Sequence, residues 1–276
     1  MMIFEHSKCS NNPHEFEKTI MRQILLLLCI LFLSAPSVQG AELDGLQIAQ
    51  KVYDRDDGKD SYAKVKMLLI DKNGRKRLRT LITAVKDYGS VSKSFTRFYT
   101  PADIDGTAFL TWENNDGDDD QFLYLPALRR VRRVVSNQKK NRFVNTDFTY
   151  EDLQRRKVDQ DTHRILKTET YDDRLCWVLE SIPVENANSQ YSRRVSWVAQ
   201  DLYIPLKVEF YDKRRRLVKQ LLNRNLKKID GFWTVMDAEM QDLNKKTRTL
   251  MRISEIKYNR GIPDRVFTKE YMMHGN

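Results

Sequence analysis

From residue 62 to residue 258 apolar and polar side chains alternate with period two in one segment after another, and this pattern limits the possible folds more than any other feature of the chain. Ala63, Val65, Met67 and Leu69 alternate with Tyr62, Lys64, Lys66 and Leu68, and Asp71-Lys72-Asn73-Gly74 turns the chain back into 75–85. Half-buried strands need such alternation because successive side chains point to opposite faces of a sheet. The pattern recurs at 91–99, 121–125, 163–171, 175–182, 191–198, 206–211, 217–222, 232–240 and 247–258. Asp87-Tyr88-Gly89, Asp116-Gly117, Asp172-Asp173, Asp201, Asp212-Lys213 and Asp230-Gly231 separate these segments, and such residues accept turn conformations readily. Strands joined by short turns pair antiparallel with their sequence neighbours. The expected fold class is mainly β (α+β), a single curved antiparallel sheet of about eleven strands, which is large enough that it must curl. Helical signals are confined to 46–53, 148–155 and 263–272, the middle one with Thr149 and Asp152 at capping-box spacing. They predict a few helices covering the concave face of a half-barrel.

Residues 21–40 run from a basic start at Arg22 through the apolar stretch 24–33 to a small-residue region ending at Gly40, the layout of a secretory signal peptide. The apolar stretch falls short of the roughly 20 residues that span a bilayer, although an uncleaved anchor is the alternative. Cys29 lies inside that stretch, not after it, which argues against a lipoprotein cleavage site. The expected organisation is an N-terminal extension and cleaved signal peptide over 1–40, with Met21 as the true start, followed by one domain over 41–276. A domain of that length buries on the order of 70% of its unfolded surface and requires no disulfide or metal staple. Cys176, the one cysteine of the three beyond residue 40, sits in an apolar strand and reads as a small buried hydrophobe.

The chain carries a formal net charge of +10. Such a field favours anionic lipid surfaces or acidic protein partners. Nucleic acid is excluded as a partner by the export signal. Enzyme signatures are scarce: beyond residue 40 the only histidines are His163, which reads as a surface residue, and His274, and there is no HExxH, glycine-rich phosphate loop or GxSxG. Catalysis by a metal or an activated nucleophile lacks its usual parts, so the chain reads as a non-enzyme without cofactor or metal. The acidic stretch 114–120 invites a calcium reading, but the EF-hand register places Trp112 and Leu123 at ligand positions, and an exposed acidic turn is the simpler reading.

Three ordered blocks resemble the LolA-like outer-membrane lipoprotein-sorting family, in the branch associated with RND-type lipid exporters. They are Asp105-Gly106-Thr107-Ala108-Phe109-Leu110, then Tyr124-Leu125-Pro126-Ala127-Leu128-Arg129-Arg130-Val131-Arg132-Arg133, then Asp147-Phe148-Thr149-Tyr150-Glu151-Asp152-Leu153. The ending Gly261-Ile262-Pro263-Asp264, with Phe267, Thr268 and Tyr271, is similar too. The resemblance implies an unclosed LolA/LolB-type barrel with a helical lid. It also implies a periplasmic carrier of lipoprotein acyl chains or lipid, served by an inner-membrane RND-type exporter and an outer-membrane acceptor. Within such a half-barrel the candidates for a ligand cavity are Met67, Leu69, Phe95, Phe109, Trp112, Leu123, Leu125, Trp177, Leu179 and Trp197. The arginine run Arg129, Arg130, Arg132 and Arg133 is either a solvated strand edge or a docking patch for a partner or a transiently contacted membrane surface. Glu151 and Asp152 are possible internal partners for those arginines. Two rival readings stand beside the carrier: a fully packed accessory module of an envelope complex, and an envelope enzyme acting on lipid or glycan.

Overall fold

The computed structural model describes residues 43–185 and 187–275. The expected signal peptide and its cleavage site lie outside the described residues. Helix α1, Gly45–Tyr53, opens the domain with a capping box in which Asp44 and Gln47 satisfy each other's backbone N–H groups at 2.7 and 2.9 Å. Six strands follow: β1 Asp60–Ile70, β2 Lys76–Asp87, β3 Ser92–Thr100, β4 Ala108–Trp112, β5 Asp120–Leu125 and β6 Arg130–Val134. After a long connection come β7 Asp161–Tyr171, β8 Arg174–Pro183, β9 Arg193–Ala199, β10 Pro205–Tyr211, β11 Leu217–Ile229, β12 Phe232–Asp242 and β13 Thr247–Tyr258. Helix α2, Lys269–His274, ends the described chain.

All thirteen strands form one sheet in the order β6-β5-β4-β3-β2-β1-β13-β12-β11-β10-β9-β8-β7. Every pairing is antiparallel, and β6 and β7 remain unpaired with each other, so the barrel is not closed. The turns work as their residues dictate. Asp172 and Asp173 both take positive φ, 51° and 59°, as do Asp230 and Gly231, the conformation of two-residue turns that match strand twist. Asp71 accepts the backbone N–H groups of Asn73 and Arg75, and Asp212 repeats the device with Arg214 and Arg216.

The sheet has thirteen strands where about eleven were expected. β4 shows no alternation because both its faces are buried: Phe109 joins one core cluster and Leu110 another. β6 reads as a charge run, yet it pairs with β5 from Gln121↔Val134 to Leu125↔Arg130. The expected helix at 148–155 is absent. Thr149 and Asp152 do exchange the capping-box bonds, at 2.7 and 3.3 Å, but they close a turn. At the C-terminus the helical signal resolves into a short 3-10 turn, Asp264–Phe267, and α2.

Alternation gives the sheet two covered faces. On one, Ala84, Phe95, Leu110 and Phe122 pack under Ile262, Phe267 and Met272 of the C-terminal segment. Asp60 pins that segment by accepting the N–H groups of Arg260, Gly261 and Ile262, and Asp264 accepts from Lys86 and Tyr88. The opposite, inner face carries Ala63, Val65, Met67, Leu81, Phe98 and Phe109.

Candidate functional site

The inner face is crossed by the connection between the two edge strands, residues 135–160, called here the strap. Its turn Phe143–Asn145 drives Phe143 among Phe98, Phe109 and Tyr150, with ring centroids 5.0–5.9 Å apart. Val144 holds φ 44°, a strained conformation for a β-branched residue, while its carbonyl accepts from the buried Arg79 at 2.7 Å. Three carboxylates then rivet the strap to the far half of the sheet. Asp147 accepts from Arg142, Thr247 and Thr249 at 2.9, 2.5 and 2.7 Å. Glu151 accepts from Ser189, the Gln190 N–H and Arg194 at 2.5, 2.9 and 2.8 Å. Asp152 accepts from Tyr191 and Lys219 at 2.7 and 2.8 Å. Burial, then the Asp152 charge, push the Tyr191 phenol well above its ordinary range. Glu151 and Asp152 are thus committed to Arg194 and Lys219, not to the arginine run as the sequence reading allowed.

Where the strap does not fill the inner face, hollows remain, and two of them meet at Arg155. One, about 420 Å³, lies between α1 and strands β7–β10. Ala49, Val52, Leu179, Val198, Val208 and Phe210 give it apolar walls, while Arg155, Arg156, His163 and Arg194 supply polar groups. α1 sits tight on β7, since a Cβ on Gly45 would come within 2.7 Å of the His163 carbonyl oxygen. His163 lies half-buried in this wall, a correction to its surface reading. Its Nε2 donates to the Val158 carbonyl at 2.9 Å, which leaves Nδ1 to accept from the Ser181 hydroxyl at 2.9 Å. The second hollow, about 640 Å³, has Val85, Leu153, Trp233, Val235, Ile253 and Ile256 in its walls, and Asp54, Asp56, Asp57, Asp87 and Glu113 among its lining. Burial holds the Asp57 carboxyl above its ordinary range in spite of Arg55 and Arg155. Arg155 lines both hollows and separates them, donating to the Tyr53 carbonyl with its guanidinium 4.0 Å over the Tyr53 ring.

The cavity candidates separate by strand parity. Leu179 lines the hollow beneath α1, and Trp177, on the same face, joins the α1 cluster and stacks on Tyr203 at 5.8 Å. Met67, Phe109 and Leu123 face inward but are packed by the strap, whereas Leu69, partly buried against the same cluster, lines a further hollow of about 550 Å³ beside Arg79, Arg142 and Asp147. Phe95, Trp112 and Trp197 point away from both hollows: Ser94, Thr111 and Val198, their chain neighbours, are the lining residues. The Trp112 indole donates to the Phe267 carbonyl at 2.9 Å, and the Trp197 ring lies under Lys207 at 4.1 Å. Leu125 is half-buried at the end of β5. Arg194, Arg155 and Ser196 were not picked out from the sequence. The signal existed, because Arg194 and Ser196 share parity with Val198 on β9.

The arginine run occupies the β5–β6 turn and the exposed edge strand β6. Arg130 and Arg132 stand opposite Leu125 and Leu123, and Arg133 opposite Phe122, where it pairs with Asp120. In the acidic turn Asp118 is bound to Ser136 and Lys139, Asp119 to Gln154 and Asp120 to Arg133, so its carboxylates diverge toward separate partners. Cys176 is fully buried, and burial pushes its thiol up.

A family model described as "Uncharacterized protein" matches residues 90–274. A domain from Vibrio parahaemolyticus, named as a candidate outer membrane lipoprotein-sorting protein, is 35% identical with a TM-score of 0.79, over 83% of this chain and 98% of that one. The chain belongs to this LolA-like outer-membrane lipoprotein-sorting family. A DUF1329 family protein from Desulfovibrio piger is 32% identical over 83% of this chain and 97% of its own, with a TM-score of 0.79. A LolA superfamily protein from Nitrosomonas europaea, 22% identical with a TM-score of 0.65 over 83% of this chain and all of its own, shares the fold. No protein of curated function matches. The LolA-like sequence blocks have structural work in this fold. Gly106 takes φ 74°, and a Cβ there would crowd Pro126 at 3.1 Å, so the first block fits against the second. The third block is the rivet line of the strap.

Proposed function

We propose that this LolA-like protein is a non-enzymatic periplasmic carrier that holds a hydrophobic ligand, a lipid or lipoprotein acyl chain, and passes it between envelope components. The observation that carries the reading is the hollow beneath α1, whose apolar walls the protein's own side chains leave unfilled. A concave site of roughly 300–1,000 Å³ with apolar walls suits a small apolar ligand, and the charged side chains along this one leave room for a polar head. Burying acyl carbon there contributes about 0.8 kcal/mol per methylene, with no covalent step. Lipid extracted from the purified protein and identified by mass spectrometry tests this directly. A fluorescent fatty acid should be displaced by long-chain lipids and not by short ones. A protein that carries no lipid and binds none would favour the accessory-module reading, which the dense packing of the strap on the inner face supports.

Export fits this role, with cleavage after Gly40. Intact-mass measurement should find Ala41 at the N-terminus, and retention of 24–33 in a membrane-bound form would contradict a free carrier. An RND-type exporter in the inner membrane and an acceptor in the outer membrane are the proposed partners, approached through the arginine run on the exposed β6 edge. Changing Arg129, Arg130, Arg132 and Arg133 together to Gln should weaken binding to anionic vesicles. The difference should shrink with salt, as the Debye length falls from about 10 Å at 0.1 M to about 3 Å at 1 M. Unchanged vesicle binding at low salt with a much lower Tm would make the run structural.

A further inference from the structure

We propose that the hollow beneath α1 selects single-chain amphiphiles with an anionic headgroup, Arg194 and Arg155 meeting the head while Leu179, Val198, Val208 and Phe210 hold the chain. This rests on the carrier reading and specifies its ligand class.

Four cations line the hollow, Arg155, Arg156, Lys157 and Arg194, against three carboxylates, Glu151, Asp152 and Asp161. The carboxylates already have partners: Asp161 chelates Arg156 at 2.6 and 2.8 Å, Glu151 holds Arg194, and Asp152 holds Lys219 from outside the lining. Arg155 and Lys157 instead donate to main-chain carbonyls, of Tyr53 and Asn115, which satisfy hydrogen bonds without supplying a countercharge. Glu113 stands 3.9 Å from Arg155, a loose contact.

Arg194 is the more telling residue. Its side chain is only 13% exposed. One guanidinium nitrogen, Nη1, has no hydrogen-bond acceptor and stands 3.6 Å from Asp161. A buried donor without a partner is costly. Burial, and then the like charge of Arg156, push the Arg194 guanidinium below its ordinary range, so its charged form is short of compensation. Nη1 itself is closed off from solvent, so a carboxylate or phosphate held against the Arg194 wall of the hollow would supply the missing charge, and guanidinium groups match either anion. The volume of about 420 Å³ suits one chain. The other hollow, with its aspartates and Glu113, would repel the same head.

The test is displacement of the neutral apolar fluorophore N-phenyl-1-naphthylamine from the purified protein by four sixteen-carbon amphiphiles: palmitate, palmitoyl lysophosphatidic acid, hexadecanol and hexadecyltrimethylammonium. At least one of the two anions should bind tenfold or more tighter than hexadecanol, with the cation weakest. Which anion leads distinguishes a carboxylate from a phosphate ligand. The preference should collapse to within about threefold in the paired variant Arg194→Gln with Glu151→Gln, which removes the guanidinium without orphaning its buried partner. Should that variant not fold, Ser196→Trp is decisive, because Ser196 lines the hollow opposite Leu179 and a large ring there should reduce anion binding at least tenfold. Equal binding of all four amphiphiles overturns the headgroup assignment and leaves the carrier reading standing, whereas unchanged anion binding in Ser196→Trp overturns the placement of the ligand beneath α1, on which both readings rest. If none of the four binds, the carrier reading itself fails.

Discussion

Replacing Asp152 by Ala should lower stability by about 3–5 kcal/mol, because it strands the Lys219 ammonium in the interior without a counter-ion. The side chains of Asp152 and Lys219 are 1% and 9% exposed, so solvent does little to screen the loss. Tyr191 and the Thr149 N–H lose an acceptor in the same step. Urea unfolding followed by tryptophan fluorescence measures the effect. Asp152→Leu with Lys219→Met should recover most of the stability, since removing both charges also removes both desolvation costs. A single variant within about 1 kcal/mol of the parent, the range of an exposed pair, would mean that the strap is not riveted as described.

The second large effect concerns which element moves. Phe143→Ala should cost about 3–5 kcal/mol, the usual penalty for emptying an aromatic site in a packed core, because Phe143 contacts the rings of Phe98, Phe109 and Tyr150. The strap is then core and cannot serve as a lid. On the proposed carrier reading, α1 is the better gate. It has nine residues, is joined to the core through Ile48, Ala49 and a few partly buried neighbours, and lies directly over the hollow. Native-state hydrogen exchange should therefore open α1 at lower free energy than residues 147–153. A Phe143→Ala variant that keeps its stability and takes up lipid faster would transfer the lid role to the strap.

Period two revealed most of the strands because most of them keep one face toward water. It failed at β4, where Phe109 and Leu110 are both buried, and at β6, where three arginines mask the pairing. It also misled at the strap: Thr149 and Asp152 make the bonds of a helix start, but the chain continues across the sheet, led by Glu151 and Asp152 to partners some forty and seventy residues away. Local spacing holds no record of such partners. The family resemblance named the fold correctly, while the lining residues were chosen for size and apolarity. The hollow beneath α1 sets small or polar side chains, Ser181, Ser196 and Arg194, among its apolar walls, and parity along β9 was the better guide to them. Trp197 was chosen, yet its neighbour Val198 lines the space.

The strand order inverts the usual relation between sequence position and spatial position. β13, the last strand made, is the seventh of thirteen across the sheet, whereas β6 and β7, mid-sequence, are its margins. A ribosome or translocon delivering this chain releases six neighbouring strands, then six more, as two separate blankets with open selvedges. Residues 247–258 make the strand seam between them, pairing β1 on one side and β12 on the other, while the strap crosses the same boundary through its side chains. A stop codon shortly before residue 247 would leave two halves joined by the strap but by no strand pairing, while a nick inside the strap would leave the seam intact.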